Sequence, residues 1–172
     1  MISCTSDTVV SHSKWLARMD PFKPLLVILE GGDKVGKSAV YQLFRRATKY
    51  GPLVIDRFTG SNIVYDLFYG RERDIEAYSR IEAKMTDIFN VVVFVLVTDL
   101  EEQQKRIEKL ETDKMKPVAL ENFRDIDELF REYAHNTGYA FSYIVDTTNV
   151  TAEETVQLMI HELKELGYVT EG

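Results

Sequence analysis

The chain has 172 residues, enough for one domain with a substantial core. Apolar residues make up 45% and the net charge is −7, a globular balance without the basic face that broad polynucleotide binding requires. Its one cysteine, Cys4, rules out an internal disulfide, and the scattered His12, His135 and His161 make no zinc set.

In chain order, residues 1–24 read as an N-terminal extension ahead of a domain covering residues 25–172. Asp7, His12 and Lys14 break up any apolar leader, and no apolar run reaches the length of a membrane span. A cytoplasmic protein without membrane contact is therefore expected. Val9, Val10, Trp15, Leu16 and Met19 are spaced for a short amphipathic helix that packs Trp15 on the body. Residues 25–29, apolar throughout, predict a buried strand that ends in Glu30.

The strand runs straight into Gly31, Gly32, Asp33, Lys34, Val35, Gly36, Lys37 and Ser38, which spell G-x-x-x-x-G-K-S. That is a phosphate-binding loop in its required context of strand, glycine turn and helix. The glycines let the backbone curl so that successive N–H groups face phosphate oxygens, which side chains would obstruct. Lys37 is expected to reach the terminal phosphates of ATP and the Ser38 hydroxyl to ligate Mg²⁺. The helix that follows presents its positive dipole end, through Ala39, to the same anion.

That helix carries Val40, Leu43, Phe44 and Ala47 on one face and stops at Gly51 and Pro52. Residues 53–55 predict a short buried strand ending in Asp56 and Arg57. A helix from about Ser61 buries Ile63, Val64, Leu67 and Phe68 and ends at Gly70. Another, from about Asp74, places Tyr78, Ile81, Met85, Ile88 and Phe89 on one stripe. Residues 91–97 are the strongest strand prediction. Asp99 and Glu102 then form a capping box, and the helix runs into a charged stretch that Pro117 ends. Phe123, Ile126, Leu129, Phe130 and Tyr133 mark a further helix, and residues 143–145 a last strand. Thr151 and Glu154 cap the final helix, with Val156, Met159, Ile160 and Leu163 as its stripe. Strands alternating with helices imply a three-layer α/β/α fold around a parallel sheet of four to five strands. Residues 25–29 should lie centrally between 53–55 and 91–97, with 143–145 beyond 91–97.

Several segments resemble one group of proteins, the P-loop nucleoside and nucleotide kinases, and thymidylate kinases in particular. Glu30 to Ser38 is similar to their E-G-x-D-x-x-G-K-[ST]. Asp56, Arg57, Phe58, Ser61 and Tyr65 match D-R-[YF]-x-x-S-x-x-x-Y, which is also similar to the E-R-S motif of deoxynucleoside kinases. Arg106, Lys109, Asp113 and Lys114 resemble the lid, with lysines in place of two arginines. The chain departs from thymidylate kinases in one respect. One helix and one short strand fill the interval from Ser38 to Asp56, so the family's acceptor-site segment is absent.

The resemblance implies a Mg-dependent transfer from ATP to a nucleoside or nucleotide. It implies Asp56 as an Mg²⁺ ligand beside Ser38, Arg57 as the bridge between donor and acceptor phosphates, and Arg106 as a lid residue over the donor. Asp33 is expected near the transferring phosphoryl group or its acceptor, or else as a solvent-facing loop residue. Glu30 is a candidate base for a hydroxyl acceptor, or else a carboxylate tying down the phosphate loop. Arg71 and Arg73 are candidates for an acceptor phosphate, and Tyr65, Phe68, Tyr69 and Tyr78 for stacking on a base, or for plain packing. DNA as acceptor, a non-catalytic nucleotide-binding protein and a homodimer stand as alternatives.

Overall fold

The computed structural model describes residues 8–14, 17–109 and 120–169. Cys4, Trp15, Leu16, Asp113, Lys114 and Pro117 lie outside the described residues. Five strands are present: β1 (Val9–Ser11), β2 (Leu25–Glu30), β3 (Leu53–Asp56), β4 (Asn90–Val97) and β5 (Phe141–Asp146). Six helices accompany them: α1 (Lys37–Ala47), α2 (Thr59–Phe68), α3 (Ile75–Ile88), α4 (Leu100–Glu108), α5 (Leu120–Asn136) and α6 (Ala152–Glu165). The sheet order is β1-β5-β4-β2-β3.

β2 pairs in parallel with β3 on one side and β4 on the other, and β4 pairs in parallel with β5. That is the expected layout. Every residue of β2 and β4 is buried, because both faces of the sheet are covered. Alternation along β2 sorts the core into two layers. Leu25, Val27 and Leu29 pack with Val40 and Phe44 of α1 and with Val156, Met159 and Leu163 of α6. Leu26 and Ile28 pack with Val64 of α2 and with Ile126, Phe130 and Tyr133 of α5.

Residues 53–55 form their strand, but at the open edge of the sheet and not buried, with Leu53 51% exposed, and Leu67 of α2, expected inside, is exposed as well. Three further expectations are corrected. Val9 and Val10 belong to a strand, not a helix: Val9–Ser11 pairs antiparallel with β5 and adds an edge to the sheet. Ladder bonds continue past it, from the His12 N–H to the Ser142 carbonyl and from the Lys14 N–H to the Ala140 carbonyl. The capping box at α4 is one-sided. The Asp99 side chain accepts from the Glu102 N–H, while the Glu102 carboxylate turns to Arg106 and the Asp99 N–H goes to Thr148. At α6 both halves of the box form.

The third correction concerns α3. Asp74 caps it as the spacing predicts, and Met85 and Phe89 of the stripe pack against the core, yet Ile81 is 39% exposed and Ile88 57%. Of the helix's residues, Glu82 is the buried one. Its carboxylate accepts from the Thr59 hydroxyl at 2.9 Å, the Tyr133 hydroxyl at 3.1 Å and the Gly138 N–H at 3.2 Å, joining α2, α3 and α5. Burial, and then the adjacent Glu82 charge, push the Tyr133 phenol far above its ordinary pKa, so it stays a donor. Beside this cluster lies a cavity of about 640 Å³.

Deleting a buried acceptor strands its donors, which costs more than deleting one of them. Glu82→Ala is expected to lower unfolding free energy by about 3 kcal/mol and Tyr133→Phe by about 1 kcal/mol. Urea titrations of the three proteins check this; equal losses would show that the carboxylate does not organise the cluster.

Candidate active site

The turn out of β2 is set by close packing. Gly31 has φ 132°, and a Cβ there would sit 2.2 Å from the Leu96 carbonyl oxygen of β4. From this turn the chain forms the loop and enters α1 through Gly36, at φ 93°. No side chain caps α1 and no acid lies in its first turn, so its N-terminal donors face the loop without a protein anion.

Three successive carbonyls of the loop are tied outward. Asp33 accepts from Gln103 at 3.1 Å, Lys34 from Arg106 at 3.1 Å and Val35 from the Thr147 hydroxyl at 2.9 Å. A peptide carbonyl and the next residue's N–H point opposite ways, so the N–H groups of Lys34, Val35 and Gly36 turn away from these ties. Lys37 is buried, and its ammonium donates to the carbonyls of Gly31 and Gly32, both at 2.9 Å. Burial, then the positive charge of Arg57, lower its pKa to about 8. Ser38 and Ala39 are exposed at the start of the helix.

Asp56 and Arg57 follow at the carboxyl end of β3, beside the same loop. Asp56 is exposed and near enough to Lys37 to favour its charged form. Arg57 adopts φ 66°, a left-handed backbone that a bulky residue takes only when its surroundings impose it. Its N–H bonds the Leu29 carbonyl. Its guanidinium meets Asp33 at 2.6 Å and the Tyr65 hydroxyl at 3.3 Å.

Glu30 has no exposure. Its carboxylate accepts from the Phe58 N–H at 2.8 Å and from the Ser61 hydroxyl. Burial raises its pKa, with these bonds opposing. The carboxylate thus clamps the corner between β3 and α2.

The other expected residues divide. Arg106 is docked by Glu102, by the Lys34 carbonyl and by the Thr147 carbonyl at 2.8 Å, so it braces the loop. Lys109 is exposed at the end of α4. Tyr65, Tyr69 and Arg71 line a pocket of about 450 Å³ with Arg57, Phe58, Ser61, Asn62 and Asp66. Arg73 and Tyr78 instead line the cavity beside Glu82, and Phe68 packs on the core. Gln103 and Thr147 carry no mark in the sequence, since nothing in their local spacing distinguishes residues that act across the fold.

These residues fit Mg²⁺ with a nucleotide. The donors at α1 lack a protein anion, and an exposed hydroxyl and carboxylate, Ser38 and Asp56, flank the loop. Mg²⁺ at phosphate sites is commonly held by one or two carboxylates together with phosphate oxygens. Among the described residues no group of three His, Cys, Asp or Glu forms a separate metal cage.

No protein-family model matches the sequence, and no curated protein matches it. Solved structures do match, and they show that the chain has the P-loop kinase fold. The Bacillus subtilis YorR protein, solved in complex with phosphorylated GDP, is 24% identical with a TM-score of 0.63. The match covers 84% of this chain and 99% of that one. Deoxyadenosine kinase from M. mycoides with bound dATP is 14% identical, with a TM-score of 0.51, over 81% of this chain and 100% of that one. Thymidylate kinase from Candida albicans is 16% identical, with a TM-score of 0.51, over 87% and 96%.

Gly60, the second residue of α2, is the point where this corner is tightest. A Cβ there would lie 2.5 Å from the Tyr133 ring and 2.9 Å from the Glu30 carboxyl carbon. Gly60→Ala is expected to destabilise by about 1–3 kcal/mol through overpacking. Thermal and urea unfolding measure it; a variant as stable as the parent would show that Glu30 and Tyr133 are not held in these positions.

Proposed function

We propose that the chain is a phosphotransferase that moves the γ-phosphoryl group of ATP onto a nucleoside or a nucleoside monophosphate, with Mg²⁺. The observation that carries this reading is Arg57. It stands between the phosphate loop, through Asp33, and the pocket along α2, through Tyr65. A cation in that position can bridge donor and acceptor. Binding of nucleotides by the YorR and deoxyadenosine kinase neighbours supports the reading, as does the motif order along the chain.

The residues divide the work as follows. The N–H groups of the loop and of the start of α1 would receive the donor phosphates. Lys37 would exchange the Gly31 and Gly32 carbonyls for phosphate oxygens, a stronger charge-assisted contact. Ser38 and Asp56 would hold Mg²⁺, which supplies charge neutralisation for the donor phosphates. Arg57 would stabilise charge developing between the two substrates. Phosphoryl transfer has a loose transition state and responds mainly to positioning and electrostatics. Glu30 would act by holding α2 in place. Gln103, Arg106 and Thr147 would keep the loop preformed. The proposed setting is the cytoplasm.

The test is transfer of labelled γ-phosphate to nucleosides, nucleotides and DNA. Lys37→Ala is expected to abolish transfer with the fold intact by circular dichroism. Arg57→Ala is expected to lower kcat by about a hundredfold or more with a smaller change in ATP affinity. A folded Lys37→Ala protein with normal turnover ends the phosphotransferase reading. Transfer to DNA alone would move the acceptor from a small molecule to the polymer.

A further inference from the structure

The chemistry lining the pocket along α2 bears on the class of acceptor. Four carboxylates lie at or near it, and of these Asp66 alone is in its lining. Glu30 lies behind Ser61, with no exposure, and both its oxygens accept hydrogen bonds. Asp33 is paired with Arg57 at 2.6 Å. Asp66 accepts from the Tyr78 hydroxyl at 2.6 Å. The fourth, Asp56, is outside the pocket lining. A hydroxyl acceptor needs a group to take its proton, and the one carboxylate in the lining, Asp66, already accepts from Tyr78 through one oxygen.

Its cations point the other way. Two guanidiniums line it, Arg57 and Arg71. Arg71 is largely exposed; its nearest acid, Asp66, is 3.8 Å away, and it rests over the Tyr69 ring with its central carbon 4.8 Å from the centroid. At that distance, and with the guanidinium itself exposed, the pair holds Arg71 weakly, so the guanidinium is available to an anion. Forked guanidiniums match phosphate oxygens in a way that a neutral hydroxyl does not use. Tyr65 and Tyr69 supply aromatic faces, and the exposed Asn62 amide supplies a donor and an acceptor for a base edge.

Resting on the phosphotransferase reading above, we infer that the acceptor is a nucleoside 5′-monophosphate, its phosphate held between Arg57 and Arg71. An oxygen of the acceptor phosphate forms a bond to the γ-phosphorus of ATP. The bond from that phosphorus to the β–γ bridging oxygen breaks, and its electron pair leaves on ADP. The acceptor becomes a nucleoside diphosphate, and no proton has to be removed from the dianion for this to happen. Arg71 is a binding residue here, while Arg57 touches both phosphates.

The experiment incubates the full chain with ATP, Mg²⁺ and matched pairs of each nucleoside and its 5′-monophosphate, with a 5′-phosphorylated oligonucleotide as a third arm. Products are read by phosphorus NMR and thin-layer chromatography. Monophosphates are expected to yield diphosphates while nucleosides stay unreacted. Arg71→Gln, at an exposed position, is expected to raise KM for the monophosphate by about ten- to a hundredfold, with kcat changed by no more than roughly threefold. Phosphorylation of nucleosides overturns the inference and leaves the phosphotransferase reading standing, and so does transfer confined to the oligonucleotide. An unchanged KM in Arg71→Gln overturns the assignment of Arg71. No transfer in any arm, with ATP bound, overturns both.

Discussion

A carboxylate with no access to solvent, Glu30, closes the central strand at the edge where the site lies. Burying a charge costs several kcal/mol unless hydrogen bonds replace the lost water. Here the replacements are the Phe58 N–H and the Ser61 hydroxyl, so the first turn of α2 must seat itself on the end of β2. Much else follows from that seat. The chain has to turn sharply between β3 and α2, which puts Arg57 at φ 66° with its N–H on Leu29. Gly60 is needed where the helix meets Tyr133 and Glu30. Asn62 and Tyr65, which line the pocket, ride on the helix so placed, and Tyr69 caps its far end. Packing against the buried acid thereby becomes the geometry of the site.

The phosphate loop is shaped from behind by a different set of residues. Gln103 and Arg106 come from α4 and Thr147 from the turn after β5, and each takes one loop carbonyl. A glycine-rich loop is conformationally free by itself. Tying its carbonyls outward preselects the one curl in which the N–H groups face inward, so less entropy is lost when an anion binds. Arg106 has a second reason to stay: Glu102 lies one turn back on α4, and Thr147 offers both its carbonyl and its hydroxyl. The side chain that resembles a lid arginine is thus tied to the loop itself.

The sequence made the frame legible where one physical signal dominated. β2 and β4 are apolar at nearly every position because both faces are covered, and the glycine–lysine spacing of the loop has few other uses. Legibility failed where the deciding partner was distant in the chain. Val9 and Val10 become a strand because β5 offers them an open edge, which three residues cannot announce. α3 shows an apolar stripe, yet it is Glu82 that turns inward, to donors from α2, α5 and the turn at Gly138. Asp99 with Glu102 and Thr151 with Glu154 are both capping-box patterns, and only the second closes. At the first, Arg106 four residues on competes for the glutamate, and Thr148 takes the N–H that the glutamate would have reached. Local pattern states what is available, and tertiary neighbours decide which option is taken.

Lys37 shows how the same architecture holds a charge ready for its ligand. Its ammonium is buried, bonded to two loop carbonyls, and has a pKa lowered to about 8. A lowered lysine pKa means that the protein disfavours the charged form relative to water. Asp33, Asp56 and Glu30 favour that form, but burial and the charge of Arg57 outweigh them. Two carbonyl dipoles compensate only part of a full charge. An anion in the loop would supply what is missing and also draw in the N-terminal donors of α1, which no side chain caps. The cation is thus placed where folding leaves it under-compensated, and where a phosphate would complete it.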